Sequence, residues 1–483
     1  MTKPKHDRHC VPVELPDDKP VPGFLSGPAH SFYMQSLEAK KRGDNECARR
    51  LLEAGLTIGP DHPGPWYTLG VELYGEHKYE AACAAMGRAL SLLPDQVHAL
   101  TNMGIYLYHA GRYEEAAAHL RRAVEIAPDK ALGWSNLCLV ETALGNLTAA
   151  AAAGRYALEL EPKNDSFRIA LSFTEAHANR TAEGLALYES RFGFKLPELL
   201  ALPCPKWKGE RGSSIFVTAE QGLGDTLQFA RFLPLVIDRF KRVVFGCQQE
   251  LVAIMAAAFP SLEIYPMPTQ VPETEFHTPL MSIPGALGLS DEEIFAVPAD
   301  YLTRRLPKQW SRSARQNTAP ARKWNKPLAD MPGVTRRIGI CWAGNPAQEN
   351  DGHRSATVED FLPLAELPGV QLYSLQVGKR RHDIDQYSGL VQPLSAGFRG
   401  FEDTFEAVSQ LDHVVTVCTS VVHLAGAVGT TPTTVLVPRH GAHWIWGSGE
   451  TTRWYPNVRI ARQPTVRDWR TPMQQVKAWL SNP

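Results

Sequence analysis

VHALTNMGIYLYHAGRYEEAAAHLRRAVEIAPDK, Val97 to Lys130, decides how the first part of this chain folds. Its proline, Pro128, belongs to a series with Pro60, Pro94 and Pro162 at a strict interval of 34 residues. In that register Phe32, Trp66, Leu100 and Trp134 share the fourth position, and Ala48, Ala82, Ala116 and Ala150 share a position where two helices must approach closely. Leu69-Gly70 and Met103-Gly104 set a packing residue beside a small one, and Ala89, Ala123 and Ala157 recur before the stop. Each unit reads as an amphipathic helix, a short turn and a second helix ended by proline, which lacks both the donor and the shape to continue it. A repeated hairpin cannot bury both faces alone, so neighbours must stack.

This pattern resembles the tetratricopeptide repeat family over about residues 29–195, with a degenerate fifth unit around Leu171 to Arg191. The resemblance implies an α-solenoid whose concave groove takes a peptide, here a partner or acceptor protein. The other use of such an array is to stabilise the protein or to join copies of it into a homo-oligomer.

After Phe194 the period changes. PELLALPCPKWKGERG is rich in proline and turn residues, and from Ser214 short apolar runs alternate with helical patterns. Strands are expected at Ser214 to Ala219, Arg242 to Phe245, Ile338 to Trp342, Gln371 to Leu375, His413 to Val417 and Thr433 to Val437. Alternation of strand and helix implies parallel sheets, with ligands at the carboxyl ends of the strands. Arg304 to Arg337 carries ten Arg or Lys against one Asp and reads as a solvated basic connection. The expected class is therefore α + α/β: a tail (1–28), repeats (29–195), a linker (196–213), one Rossmann-like lobe (214–310), a basic interlobe loop (311–335) and a second lobe (336–483).

Bulk properties narrow the function. A formal net charge of -1 gives no whole-chain field towards nucleic acid or anionic lipid. No stretch has the length of apolar sequence that a transmembrane helix needs, and MTKPKHDRHC lacks the apolar core of a signal peptide, so a cytoplasmic protein is expected. The eight cysteines form no CxxC pair, which points to a reduced compartment and to no metal site.

Three segments can carry chemistry. EQGLGDTLQFARF, Glu220 to Phe232, follows a strand; Gly222 and Gly224 permit a tight turn, with Gln228 one helical turn further on. Asp225 there can cap the helix or act as a general base towards a hydroxyl. QLDHVVTVCTSVVHLAGAVG, Gln410 to Gly429, runs a strand into a helix whose free amides, Thr419, Ser420 and His423 suit a diphosphate, or else serve as an N-cap and a satisfied core histidine. IGICWAGNPAQENDGHRS, Ile338 to Ser355, opens a strand into a polar loop containing Gly344, Asn345 and Arg354.

Together with SLQ at Ser374 to Gln376 and WYPNVRIARQPTVRDW at Trp454 to Trp469, these segments resemble the heptosyltransferase-like glycosyltransferases of family 9, in particular members fused to tetratricopeptide repeats, a layout similar to that of O-GlcNAc transferases. The resemblance covers about residues 214–480. It implies a GT-B fold and an inverting, metal-independent glycosyltransferase that needs no cofactor beyond its nucleotide-sugar substrate. Asp225 would be the catalytic base; Gly222, Gly224 and Gln228 would shape the acceptor turn; Thr419, Ser420, His423, Gly344, Asn345, Arg354 and Gln376 would hold the donor. The acceptor would be a Ser or Thr of a protein such as flagellin bound through the repeats, or alternatively an envelope polysaccharide or lipopolysaccharide. One departure stands out: Cys418 occupies the position where the family has aspartate, which keeps open a non-catalytic adaptor with a degenerate transferase domain.

Overall fold

The structure is a computed structural model in which residues 27–194, 202–267, 271–306, 328, 331–348 and 351–481 are described. The tail up to residue 26, linker residues 196–201 and residues 311–327 and 329–330 of the basic connection lie outside the described residues.

The first part is a run of paired helices: α1 (Pro28–Lys41), α2 (Asn45–Ile58), α3 (Pro63–Gly75), α4 (Tyr79–Leu92), α5 (Val97–His109), α6 (Tyr113–Ile126), α7 (Ala131–Leu144), α8 (Leu147–Leu160), α9 (Asp165–His177) and α10 (Thr181–Tyr188). The four prolines act through the residue before them. Gly59, Leu93, Ala127 and Glu161 all leave the helical region, at ψ of 76, 83, 75 and 77°, because a residue preceding proline is excluded from it. The same prolines tie one unit to the next: Trp66 Nε1 donates to Pro60 O at 2.7 Å and Trp134 Nε1 to Pro128 O at 2.9 Å. The close-approach alanines 82, 116 and 150 are fully buried.

The backbone repeats where the side chains do not. Gly43, His77, Gly111, Gly145 and Asn179, each 34 residues on from the last, all take positive φ of 59 to 82° in the turn between paired helices. That left-handed residue extends the period into the degenerate fifth unit, whose side-chain signature has faded. The chain divides into two compact units, one ending at Thr174 and the other beginning at Glu175. The break therefore falls inside α9 and ahead of the sequence-expected limit at 195. The physical reason is that residues from Tyr188 to Arg191 are bonded into the second unit, as set out below.

The second unit holds two all-parallel sheets. The first has the order β3-β2-β1-β4, from β1 (Gly212–Thr218), β2 (Phe240–Cys247), β3 (Glu263–Pro266) and β4 (Phe276–Pro279). The second has the order β10-β9-β8-β5-β6-β7, from β5 (Arg336–Cys341), β6 (Val370–Ser374), β7 (Val391–Gln392), β8 (His413–Val417), β9 (Thr433–Val437) and β10 (Val458–Arg462). β9 is buried at every residue, as a central parallel strand covered on both faces requires. In each sheet the chain adds strands on one side of its first strand and then crosses to the other. Such a reversal leaves a crevice at the carboxyl ends, beside β1 and β4 in one sheet and beside β5 and β8 in the other. The loops after β1, β5 and β8 are the three segments singled out above.

Candidate functional site

Glu220, the first residue after β1's extension, is held by a buried arginine. Arg191 Nε and Nη2 donate to the two Glu220 carboxylate oxygens at 2.8 Å each, and Nη1 reaches Glu189 at 2.9 Å. Both pair members are about 1% exposed. Gln221 then takes φ 64°, a left-handed geometry, and its amide donates to Tyr188 Oη at 2.8 Å. This fixes the direction in which the short helix Leu223–Phe229 starts. Gly222 N donates to Asp225 Oδ2 at 2.9 Å, so one oxygen of Asp225 caps its own helix. The other oxygen is turned elsewhere: Oδ1 lies 3.5 Å from His443 Nε2, on the loop after β9. Asp225 thus caps its own helix with one oxygen and turns the other towards the second sheet's loops.

The helix Ser420–Val428 packs directly on the helix carrying Asp225. A Cβ added at Gly224 would sit 2.7 Å from His423 Cδ2, so only glycine lets the imidazole lie against that turn. His423 Nδ1 is 3.0 Å from Tyr455 Oη. Burial keeps the Tyr455 phenol protonated, well above its ordinary value. Burial, with His443 nearby, pushes His423 down to about 3 against the opposing pull of Asp225, and the ring is neutral. Thr419 is the N-cap, its Oγ1 accepting from Val421 N at 3.3 Å. Ser420, at the first helical position, is only partly buried.

The loop after β5 is organised from within. Gly344 N donates to Ser355 Oγ at 3.0 Å, Ser355 Oγ donates to Asp351 Oδ1 at 3.0 Å, and Arg354 Nε donates to the same oxygen at 3.2 Å. Asn345 is exposed and its Oδ1 accepts from Ala347 N at 3.0 Å, an Asx turn. Gln376 is 3% exposed and is consumed by this loop: its Oε1 accepts from Trp342 N at 3.2 Å and Ala343 N at 2.9 Å, and its Nε2 donates to Ala343 O at 3.1 Å. Its amide holds the β5 and β6 ends together. Trp444, Trp446 and Trp469 are core residues, at most 6% exposed.

Two features escaped the sequence. His443 carries no motif around it, and only its place after β9's carboxyl end would have flagged it. Arg462, at the end of β10, donates to Trp446 O at 2.6 Å and Gly449 O at 3.1 Å, and burial pushes its guanidinium down. It shares the environment of Cys418 with Arg354. Burial raises the Cys418 thiol to about 12 against the pull of both arginines, so the cysteine is neutral. Gln228 was expected at the turn, and it is fully buried with neither amide atom bonded. Among the described residues no group of three or more His, Cys, Asp or Glu is placed to hold a metal ion. No helix among them is long and apolar enough to cross a membrane.

The helical part is a tetratricopeptide array: residues 67–131 match the tetratricopeptide repeat family. The chain is also similar, at 24% identity over 319 residues, to Protein FlbA of Caulobacter vibrioides, the match covering 62% of this chain and 52% of that protein. The chain thus spans about half the length of this curated relative. Among solved structures it is similar to MamA from Desulfovibrio magneticus RS-1, 21% identical with a TM-score of 0.33 over 37% of this chain and 99% of that one. It is likewise similar to a thermophilic tetratricopeptide protein of Thermus thermophilus, 21% identical with a TM-score of 0.30 over 35% and 93%.

Proposed function

We propose that the second unit is a GT-B-type, metal-independent glycosyltransferase and that the repeats present its acceptor. The observation that carries the reading is the meeting of two carboxyl-end segments: Asp225 and Gly224 after β1 stand against His423 and His443, which follow β8 and β9. One side supplies a carboxylate. The other supplies helix amides at Thr419 and Ser420, with Arg354 and Arg462 acting on the adjacent Cys418.

In the reaction, Asp225 takes the proton of an acceptor hydroxyl while that oxygen bonds the anomeric carbon from the face opposite the leaving group. The bond from that carbon to the diphosphate oxygen breaks, and its electron pair leaves with the nucleoside diphosphate. Helix amides and guanidinium groups offset the developing charge. The acceptor is a protein Ser or Thr, because a peptide-binding groove has its use beside a peptide acceptor. Envelope saccharides are the acceptor on the alternative expectation, and acceptor identity separates the two.

A screen of UDP-, GDP-, ADP- and CMP-sugars for hydrolysis and transfer tests the reading. Asp225→Ala should lower turnover by about 10²- to 10⁴-fold with the fold intact; undiminished transfer would remove the base. The second reading, a non-catalytic adaptor, is favoured by Cys418 alone and expects no nucleotide to raise the melting temperature.

A further inference from the structure

His443 belongs to no motif, yet its Nε2 lies 3.5 Å from Asp225 Oδ1, reaching it from the second sheet's loops. Its ring is stacked on Trp444, with centroids 5.3 Å apart and planes at 29°, which fixes its orientation. Nδ1 accepts from Ile445 N at 3.5 Å, so the ring proton is assigned to Nε2, the atom 3.5 Å from Asp225 Oδ1. The groups facing it are Asp225 on the first-sheet side and His423, whose ring lies edge-on at 6.2 Å and 80°; behind His423 stands Tyr455, with Arg231 and Tyr301 beyond.

Resting on the transferase reading, we infer that His443 is a positioning residue for the Asp225 base, its Nε2–H holding Oδ1 while Gly222 N–H holds Oδ2. A carboxylate clamped at both oxygens keeps one rotamer, and because each carboxylate oxygen carries two lone pairs, clamping does not prevent it from accepting a hydroxyl. The proton balance is unchanged: the hydroxyl proton passes to Asp225, and His443 neither gains nor loses one. The contact joins a segment of the first sheet to a loop of the second, so it also sets how the base faces the segment at Ser420. The separation of 3.5 Å exceeds the usual N–H···O distance of about 2.7–3.2 Å, so the clamp is the arrangement reached when substrate draws the two segments together.

The test compares His443→Ala with His443→Gln, whose amide N–H can replace Nε2–H. With the nucleotide-sugar found active in the screen, His443→Ala should lower kcat by about tenfold or more while KM for the donor stays within about threefold, the signature of an interaction used in the transition state. His443→Gln should recover most of that loss. Equal losses in both variants, or a change confined to KM, would show a merely structural or donor-binding histidine. Independently of activity, the His443 Nε2 proton should give a protected downfield resonance in the wild-type protein that disappears in Asp225→Ala; persistence of that resonance overturns the clamp. Wild-type protein inactive with every nucleotide-sugar sinks the transferase reading together with the inference, whereas wild-type turnover undiminished in His443→Ala sinks the inference alone.

Discussion

Gly224 shows how much rests on one missing methyl group. The position is helical, so alanine there would ordinarily help by about 1 kcal/mol. The added Cβ would instead meet His423 2.7 Å away, on a ring already bonded to Tyr455. Gly224→Ala should therefore destabilise the second unit by about 1–3 kcal/mol, as overpacking does, and displace His423. Urea unfolding measures it, and a neutral or stabilising result would mean that the two helices are free to separate. Gln228 makes the complementary point. Its buried amide has neither atom bonded, a cost of about 1–3 kcal/mol per orphaned group, so Gln228→Leu should stabilise the free protein. If the amide meets substrate, the same change should weaken turnover; stabilisation with turnover intact would assign the glutamine no part in the site.

At the scale of elements, the turn and the hairpin behave differently. His77 holds a left-handed backbone, φ 59°, at the place where Gly43, Gly111 and Gly145 do so without strain. His77→Gly should raise the stability of the first unit by about 0.5–1 kcal/mol, since αL costs an L-residue about 1–2 kcal/mol and the exposed bond to Tyr79 returns part of that. A loss on thermal melting would count against the strain. Arg191 is the reverse case: it is buried, bidentate on Glu220 and packed over the Phe192 ring at 4.1 Å. Removing it leaves a carboxylate unpaired in the interior, so Arg191→Ala should cost the second unit about 3–5 kcal/mol, with a smaller loss in the Arg191→Met/Glu220→Gln double variant. The same two elements explain what was legible in the sequence. Proline spacing and small residues encode local geometry, so the repeats and six strands can be read directly. Tyr188, Arg191 and Glu220 meet across some thirty residues, and Gln376 reaches back to Trp342 and Ala343; such long-range pairing leaves no local trace. Hence the domain limit, the scaffold role of Gln376, and the parts of His443 and Arg462 had to come from the structure. Four strands escaped: β3, β4 and β7 have too few residues to show a period, and β10, Val458–Arg462, was not among the expected strands.

For the molecule as a whole, buried neutral histidines set the response to acid. Burial pushes His423 down to about 3 and His413 down to about 4. The unfolded chain binds a proton at each near pH 6.5 while the folded chain does not. Their contribution is therefore fully present above about pH 6.5 and is lost progressively as pH falls towards 4 and 3. At pH 5 each is expected to cost ~2 kcal/mol relative to pH 7, from ~1.4 kcal/mol per pH unit. Chemical denaturation of the second unit at pH 7 and pH 5 should show this loss, and His413→Asn should shrink it by about half; an identical pH dependence in the variant would place the proton uptake elsewhere.

On the proposed transferase reading, a nucleoside diphosphate seats at the start of the Ser420–Val428 helix, across from Asp225. Ser420→Asp separates that claim from helix stability, because an acidic residue in the first turn suits the helix dipole and repels a bound anion. The direct measurement is a calorimetric titration of the intact protein and this variant with UDP, GDP, ADP and CMP. One of the four should bind the wild-type protein and bind Ser420→Asp at least about tenfold more weakly, with the variant's melting temperature unchanged or higher. Binding of none of the four, or equal binding to both proteins, would contradict it.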